Sequence, residues 1–221
     1  MRIAGLQKNS TLDFPGVFCC VIFTAGCNYD CYYCHNRALI THPPLIDNDK
    51  VLSFLEKRVG LIEGVVLSGG EPTLQDDVVV YASALKQMGY KVKLDTNGSH
   101  PDVVEALLRS AALDYVALDY KAPFSAYQKV CGVPADGIYD TLSLLTDSGV
   151  AYEIRTTMIP EITPAVLQEM ARAIPVVERY ALQLYRPQGD SSLEQVFYAP
   201  PQLHELAKQI EPFQPNVCVR A

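Results

Sequence analysis

Short apolar segments of β-strand character alternate with longer segments of helical periodicity along most of the chain. Most of the six short segments are nearly continuous in Val, Ile, Leu and Tyr, as strands covered on both faces tend to be. They span 17–23, 64–69, 90–97, 114–121, 151–159 and 180–186. The helical segments span 47–60, 74–89, 101–111, 137–149, 163–174 and 200–211. Six β-then-α units in succession predict a parallel sheet with right-handed crossovers.

This order predicts an α/β fold: a partial (β/α)6 TIM-like barrel of parallel strands with outer helices, in one domain over residues 1–221. Periodicity alone does not separate a barrel from an open doubly wound sheet. In barrels the chemistry lies at the carboxyl ends of the strands. The unusual stretches occur there: a thiol-rich loop follows the first predicted strand, and SGGEP, DTNG and LDYK end the next three.

Capping residues in the sequence indicate where several helices begin and end. Asp47 or Asn48, and Thr163, precede apolar periodicity as N-caps. Pro164 suits a first helical turn, and Gly89 and Gly149 terminate helices.

Charge and hydropathy exclude some classes of function. The net charge of -7 gives no basic footprint for nucleic acid. No apolar run approaches the roughly 20 residues that span a bilayer, and the first residues lack the order of a secretory signal. We therefore expect a cytoplasmic protein with reduced thiols and neither a nucleic-acid nor a membrane partner.

The chain contains seven cysteines. Proteins built on a disulfide framework are usually small and secreted and have an even number of cysteines, so such a framework is not favoured here. Four of them stand in apolar surroundings and are expected to be small buried side chains; they are Cys19, Cys20, Cys131 and Cys218. The other three form the spacing Cys27-x3-Cys31-x2-Cys34.

Three arrangements could explain that spacing. The thiols could share one face of a helix by accident. They could hold zinc with His35 as a fourth ligand, although His35 and Cys34 are adjacent and no second C-x2-C pair exists. They could hold an iron–sulfur cube, which usually takes four thiolates, and leave one iron without a protein ligand.

The third arrangement carries a family resemblance. The C-x3-C-x2-C spacing with an aromatic residue, Tyr33, before the last cysteine resembles the radical S-adenosylmethionine (radical SAM) superfamily. The resemblance implies that Cys27, Cys31 and Cys34 hold a [4Fe-4S] cluster. It also implies that S-adenosylmethionine chelates the open iron and is cleaved reductively to a 5′-deoxyadenosyl radical.

SGGEP agrees with this resemblance. By itself it could be a tight strand–helix bend, in which Gly69 and Gly70 allow close backbone approach and Pro72 opens the next helix. A Glu in the bend sets a carboxylate against a cation. By resemblance Gly69, Gly70 and Glu71 receive the methionine ammonium of S-adenosylmethionine.

LDTNG and LDYK place acids at two further strand ends, where they could simply cap helices. Together they resemble a closer subgroup, the activating enzymes of glycyl radical enzymes. The resemblance implies a S-adenosylmethionine site lined by Asp95, Thr96, Asn97, Asp119 and Lys121. It further implies a monovalent cation near the sulfonium, held by Asp95, Thr96 and Asp119, with Lys121 at the ligand's carboxylate.

Other stretches bear on the subgroup. CHN at 34–36 and STLDFPG at 10–16 are similar to those of the activators, whereas Arg186 stands where pyruvate formate-lyase activators have a histidine. Arg155 could meet a ligand carboxylate or pair with a core acid. No further cysteine clusters occur, so one cluster is expected.

The sequence thus predicts an activase that generates a glycyl radical on a partner such as anaerobic ribonucleotide reductase or a pyruvate formate-lyase-like enzyme. Flavodoxin or ferredoxin would supply the electron. The alternatives are a radical SAM enzyme with a small-molecule substrate and a zinc-stabilised binding domain without catalysis.

Overall fold

A computed structural model describes residues 1–186 and 197–220. The strands are β1 Ile3–Ser10, β2 Cys19–Thr24, β3 Gly64–Gly69, β4 Lys91–Thr96, β5 Tyr115–Asp119, β6 Ala151–Met158, β7 Tyr180–Leu184 and β8 Val217–Arg220. The α-helices are α1 Arg37–Ile40, α2 Asn48–Glu56, α3 Val78–Gln87, α4 Pro101–Arg109, α5 Tyr127–Cys131, α6 Ile138–Ser148, α7 Pro164–Arg172 and α8 Pro200–Ile210. Short 3-10 helices span Pro72–Leu74 and Phe124–Ala126.

The chain divides into two compact units. Unit 1 comprises Met1–Asn28, Asn36–Ala117 and Gly137–Ala151, and unit 2 comprises Tyr29–His35, Leu118–Asp136 and Tyr152–Ala221. The single domain predicted for residues 1–221 stays a prediction.

Unit 1 is built on strands β1 to β4. Strands β2, β3 and β4 run parallel, with Cys19 opposite Gly64 and Leu67 opposite Leu94. Their side chains are almost wholly buried, because helices cover parallel strands. The sheet therefore brings the carboxyl ends of three predicted strands to one edge.

Strand β1 was missed by the sequence analysis. It pairs antiparallel with β2, and its burial pattern is mixed, with three exposed residues in succession. Its sequence, IAGLQKNS, has no continuous apolar run, since an edge strand need not be covered on both faces. An antiparallel strand thus precedes the parallel ones.

Unit 2 contains the parallel strands β6, β7 and β8. Ile154 lies opposite Tyr180, which in turn lies opposite Val217. Strand β8 was also missed, because four residues are too few for a periodic signal. Its last residue, Arg220, bonds through both terminal nitrogens to the carboxylate of buried Glu153.

The predicted capping residues are confirmed, although α2 ends at Glu56 and α3 begins at Val78, four residues inside the predicted spans 47–60 and 74–89. The side chains of Asp47 and Thr163 accept hydrogen bonds from backbone N–H groups in the first turns of α2 and α7. Pro164 opens α7. Gly89 and Gly149 follow α3 and α6 with φ of 94° and 70°, the left-handed conformation that ends a helix. In the part of the chain described, no helix combines the length and apolar character that crossing a bilayer requires.

Candidate active site

The three-cysteine loop begins directly after β2. Cys27 belongs to unit 1, and Cys31 and Cys34 belong to unit 2. Cys31 is buried, whereas Cys27 and Cys34 are partly exposed. The backbone N–H of Cys34 donates to the carbonyl of Cys31 at 3.1 Å, so the last two cysteines lie on one turn. None of the three is in a disulfide.

The SGGEP bend is bonded to the residues that lead into this loop. The N–H of Gly70 donates to the Thr24 carbonyl at 3.0 Å, and the N–H of Glu71 donates to the Gly26 carbonyl at 2.9 Å. A Cβ atom on Gly70 would lie 1.8 Å from the Gly26 oxygen. Gly69 has φ of +110°, and a Cβ there would lie 2.4 Å from the Thr24 nitrogen. Two backbones therefore meet at a distance that only glycine permits.

The Glu71 carboxylate lies at the centre of a hydrogen-bonded network. It is 1% exposed and accepts from the Thr73 N–H and hydroxyl at 3.1 and 2.7 Å. It also accepts from the Thr96 hydroxyl at 2.8 Å and the Asn97 N–H at 2.7 Å. Burial raises the pKa of Glu71, while these bonds act in the opposite direction.

Three of these donors bond to Oε1, and the fourth, the Asn97 N–H, bonds to Oε2. Glu71 consequently joins the end of β3 to the end of β4. It also caps the 3-10 helix that Pro72 opens, as the sequence predicts for that proline.

Asn97 links the LDTNG turn to the three-cysteine loop. Its amide nitrogen donates to the Asn28 side-chain oxygen at 2.9 Å and lies 4.0 Å from the Cys27 sulfur. Its side-chain oxygen accepts from the Ser99 N–H and hydroxyl at 3.0 and 2.6 Å. Thr96, Glu71 and Asn97 thus form one connected network that reaches Cys27.

Asp95 lies on the same strand as this turn but is bonded differently. One carboxylate oxygen is 2.6 Å from the ammonium of buried Lys93. The other accepts from the Ser68 hydroxyl at 3.0 Å. Sequence reasoning did not single out Lys93. Opposite charges two residues apart in a strand share one face of the sheet, and this signal could have marked Lys93 and Asp95 as a pair.

In unit 2, Asp119 lies between two cations. Its Oδ1 accepts from Arg155 Nε at 2.8 Å and lies 2.7 Å from Arg155 Nη2. Its Oδ2 accepts from Lys121 Nζ at 3.0 Å. Burial alone would lower the pKa of Lys121, but the charges of Asp119, Tyr33 and Cys31 raise it well above its usual range. Of the two roles considered for Arg155, the structure shows a pairing with an acid.

Cys131 contacts a predicted ligand, which the sequence did not indicate. It is buried, as expected, and the Asp30 N–H donates to its carbonyl at 2.9 Å. Its thiol donates a hydrogen bond to Cys31 and, against burial, this lowers the pKa of Cys31 to about 7. About a hundred residues separate the two thiols in sequence, so no local pattern reveals the pair.

Aromatic residues surround the end of the loop. Tyr33 is 8% exposed, and its hydroxyl is buried without a hydrogen-bond partner among the described residues. The ring of Tyr185 meets those of Tyr33 and His35 edge-on, at 6.3 and 6.4 Å between centroids. Burial lowers the pKa of His35, and the charge of Arg186 acts in the same direction.

Within residues 1–186 and 197–220, no three His, Cys, Asp or Glu side chains are gathered as ligands of one metal ion. An iron–sulfur cube does not require three ligands around one metal ion, because its thiolates bind different iron atoms.

Known proteins resemble this chain in sequence. The family model for the radical SAM superfamily matches residues 21–174. A Methanocaldococcus jannaschii protein named "Putative glycyl-radical enzyme activating enzyme" is 32% identical over 99% of this chain and 95% of its own length. A Saccharolobus solfataricus protein named "Probable GTP 3',8-cyclase" is 30% identical over 59% of this chain, which spans only 44% of that protein.

Solved structures resemble the chain in fold. The crystal structure of Streptococcus suis SuiB bound to S-adenosylmethionine superposes with a TM-score of 0.72 at 16% identity. The match covers 91% of this chain and 50% of SuiB. The predicted fold class, a partial barrel of mostly parallel strands with helices outside, is confirmed.

Proposed function

The chain belongs to the radical SAM superfamily, and from this premise we propose that it is an activase that generates a glycyl radical on a partner enzyme. The family implies a [4Fe-4S] cluster and S-adenosylmethionine as cofactors. The observation that carries the finer proposal is the similarity to the Methanocaldococcus jannaschii protein, which spans almost the whole of both chains.

Cys27, Cys31 and Cys34 would hold the cluster. The donor set fits, because thiolates are the ligands that iron–sulfur clusters take. A pKa of Cys31 near 7 favours the thiolate that such binding requires. When bound, the cluster and S-adenosylmethionine together supply a 5′-deoxyadenosyl radical.

The residues of unit 1 would shape the site for S-adenosylmethionine. Gly69 and Gly70 have no Cβ, so the methionine part of the ligand can approach their backbone. Glu71 accepts hydrogen bonds from Thr73 and Thr96 at Oε1 and from the Asn97 N–H at Oε2. We therefore assign Glu71 the role of holding Asn97 and the bend in position beside Cys27.

The residues of unit 2 would supply charge and exclude water. Lys121 and Arg155 are both bonded to Asp119, which fixes their directions, and we assign Lys121 to the ligand's carboxylate. Tyr33 would offer its buried hydroxyl to a bound group. Water exclusion matters because a radical must be protected from side reactions.

The partner and the electron donor belong to the same proposal. The substrate would be a glycine on a flexible loop of a glycyl radical enzyme, which orders on binding. A flavodoxin or ferredoxin would deliver the electron. We assign the reaction to the cytoplasm, where thiols stay reduced.

The test is anaerobic incubation of the reconstituted, reduced protein and S-adenosylmethionine with candidate glycyl radical enzymes. We expect a doublet in the electron paramagnetic resonance spectrum and stoichiometric 5′-deoxyadenosine. A partner variant with alanine at the target glycine should show no doublet. Cys31→Ala should lose both iron and 5′-deoxyadenosine formation, whereas Cys218→Ala, a matched cysteine variant, should lose neither. Retained 5′-deoxyadenosine in Cys31→Ala would contradict the ligand assignment.

A small-molecule substrate is the second candidate, and the similarity to the GTP 3',8-cyclase favours it. That similarity covers little more than half of the chain, so we rank it lower. 5′-Deoxyadenosine without a protein radical, across all candidate partners, would favour this alternative.

A zinc-stabilised binding domain is distinguished by metal analysis. Iron and sulfide with a brown colour after anaerobic reconstitution support the enzyme. Stoichiometric zinc without iron would exclude it.

A further inference from the structure

Lys93 is a buried cation on β4. Its side chain is 1% exposed, and its ammonium lies 2.6 Å from Asp95 Oδ1 and 2.6 Å from the carbonyl oxygen of Asp13. Lysine is almost never fully buried unless its charge is paired. The position is therefore a built ionic site inside unit 1 and not a surface ion pair.

The ammonium also fixes a segment distant in sequence. Asp13 belongs to the STLDFPG stretch, where the Ser10 hydroxyl donates to the Asp13 carboxylate at 2.5 Å and accepts from the Leu12 and Asp13 N–H groups. Because Lys93 binds the backbone of this turn, it holds the turn against β4. One side chain thus connects two of the motifs that the sequence singled out.

The Asp95 carboxylate is satisfied by its neighbours. Lys93 bonds to one oxygen, and the Ser68 hydroxyl donates to the other at 3.0 Å. In unit 2, Asp119 likewise contacts Arg155 and Lys121. Both acids that the sequence assigned to a monovalent cation therefore have a cationic side chain at contact distance.

A second cation at Asp95 would be unfavourable for an electrostatic reason. It would lie within a few ångströms of a buried ammonium, where repulsion is only weakly screened. The residues of this chain do not fit a bound sodium or potassium ion at Asp95.

We infer that the Lys93 ammonium is the protein's own cation at Asp95 and takes the place of a bound monovalent cation. Lys93 is then a positioning residue: it orients Asp95 and anchors the 10–16 turn. The inference rests on the proposed function only in assigning Asp95 to the S-adenosylmethionine site.

The first experiment is independent of that assignment. Thermal unfolding of the wild-type protein is followed in sodium, potassium and choline chloride at equal ionic strength, and the three midpoints should coincide. A cation bound at about tenfold its dissociation constant would raise the midpoint by roughly 3–6 °C, so a rise of that size in sodium or potassium would overturn the inference.

Lys93→Met provides the complementary test, with Lys91→Met as control because Lys91 is an exposed side chain of the same strand. Removal of the ammonium takes the counterion from the Asp95 carboxylate, which is only 12% exposed. We expect a lowered midpoint that sodium or potassium partly restores and choline does not. Lys91→Met should behave as wild type. An equal loss in all three salts would contradict the inference, and if Lys93→Met does not fold, the wild-type series decides.

The second readout is the affinity of the reconstituted protein for S-adenosylmethionine, measured by anaerobic equilibrium dialysis in the same salts. The wild-type dissociation constant should agree within about twofold across the three salts. A value several-fold tighter in sodium or potassium would overturn the inference. Absence of binding in every salt would count against the proposed function, while the unfolding series would still decide the role of Lys93.

Discussion

Replacement of Gly70 by alanine tests the close approach between the SGGEP bend and the three-cysteine loop. The new Cβ would lie 1.8 Å from the carbonyl oxygen of Gly26 and 2.6 Å from its carbonyl carbon. Ordinary contacts begin near 3.4 Å, so the two backbones must separate by more than an ångström. Neither contact is the movable end of a side chain, and the strain cannot be relieved by a rotamer change.

The expected cost follows from the bonds that this separation breaks. Gly70 N–H to Thr24 oxygen and Glu71 N–H to Gly26 oxygen measure 3.0 and 2.9 Å, and both would lengthen beyond useful range. A lost hydrogen bond costs about 0.5–1.5 kcal/mol, and a buried group left unsatisfied costs about 1–3 kcal/mol. We expect a loss of roughly 2–4 kcal/mol, which lowers the unfolding midpoint of a domain this size by about 4–16 °C.

The assay is thermal unfolding of the metal-free protein by circular dichroism, followed by iron determination after anaerobic reconstitution. The reconstituted Gly70→Ala variant should also hold less iron, because Cys27 follows Gly26 directly. Gly5→Ala is the matched control: its Cβ would meet only the Phe23 side chain, at 3.3 Å. A Gly70→Ala midpoint equal to that of Gly5→Ala, with full iron content, would refute the argument.

Two further predictions concern other contacts. In metal-free protein, Cys131→Ala removes the hydrogen bond that lowers the pKa of Cys31 to about 7, so this pKa should rise. The pH at which alkylation of Cys31 by iodoacetamide is half-maximal should then move upward. An unchanged pH profile of alkylation would contradict the assignment of this hydrogen bond. Arg220→Met removes the bidentate partner of the buried Glu153 carboxylate. Because Arg220 is 29% exposed, the loss should be only about 1–3 kcal/mol of unfolding free energy. Lys208→Met, at an exposed surface pair, should leave the unfolding midpoint unchanged, and an equal effect of the two variants would contradict the burial argument.

All six strands inferred from apolar runs are present in the structure, and so are the six principal helices. These features depend on short-range properties: hydrophobic periodicity, capping side chains and glycine at helix ends. The same logic placed the thiols, SGGEP and LDTNG at strand ends, because in a parallel arrangement the strand order alone carries successive loops to one edge. Strands β1 and β8 were missed because an edge strand with mixed burial and a four-residue strand leave little periodicity in the sequence.

The amino-acid sequence by itself determined the family of the chain, its α/β order and the residue types that chemistry of this kind needs. Only the tertiary structure decided how those residues are used: that Glu71 bonds to Thr96 and Asn97, that Cys131 bonds to Cys31, and that the Lys93 ammonium bonds to the carbonyl oxygen of Asp13. The physical reason is how far apart in the chain the interacting residues lie. Local patterns report what each residue does to its own helix or strand, whereas hydrogen bonds and ion pairs between residues far apart in the chain arise only when the fold has brought their atoms within about 3 Å.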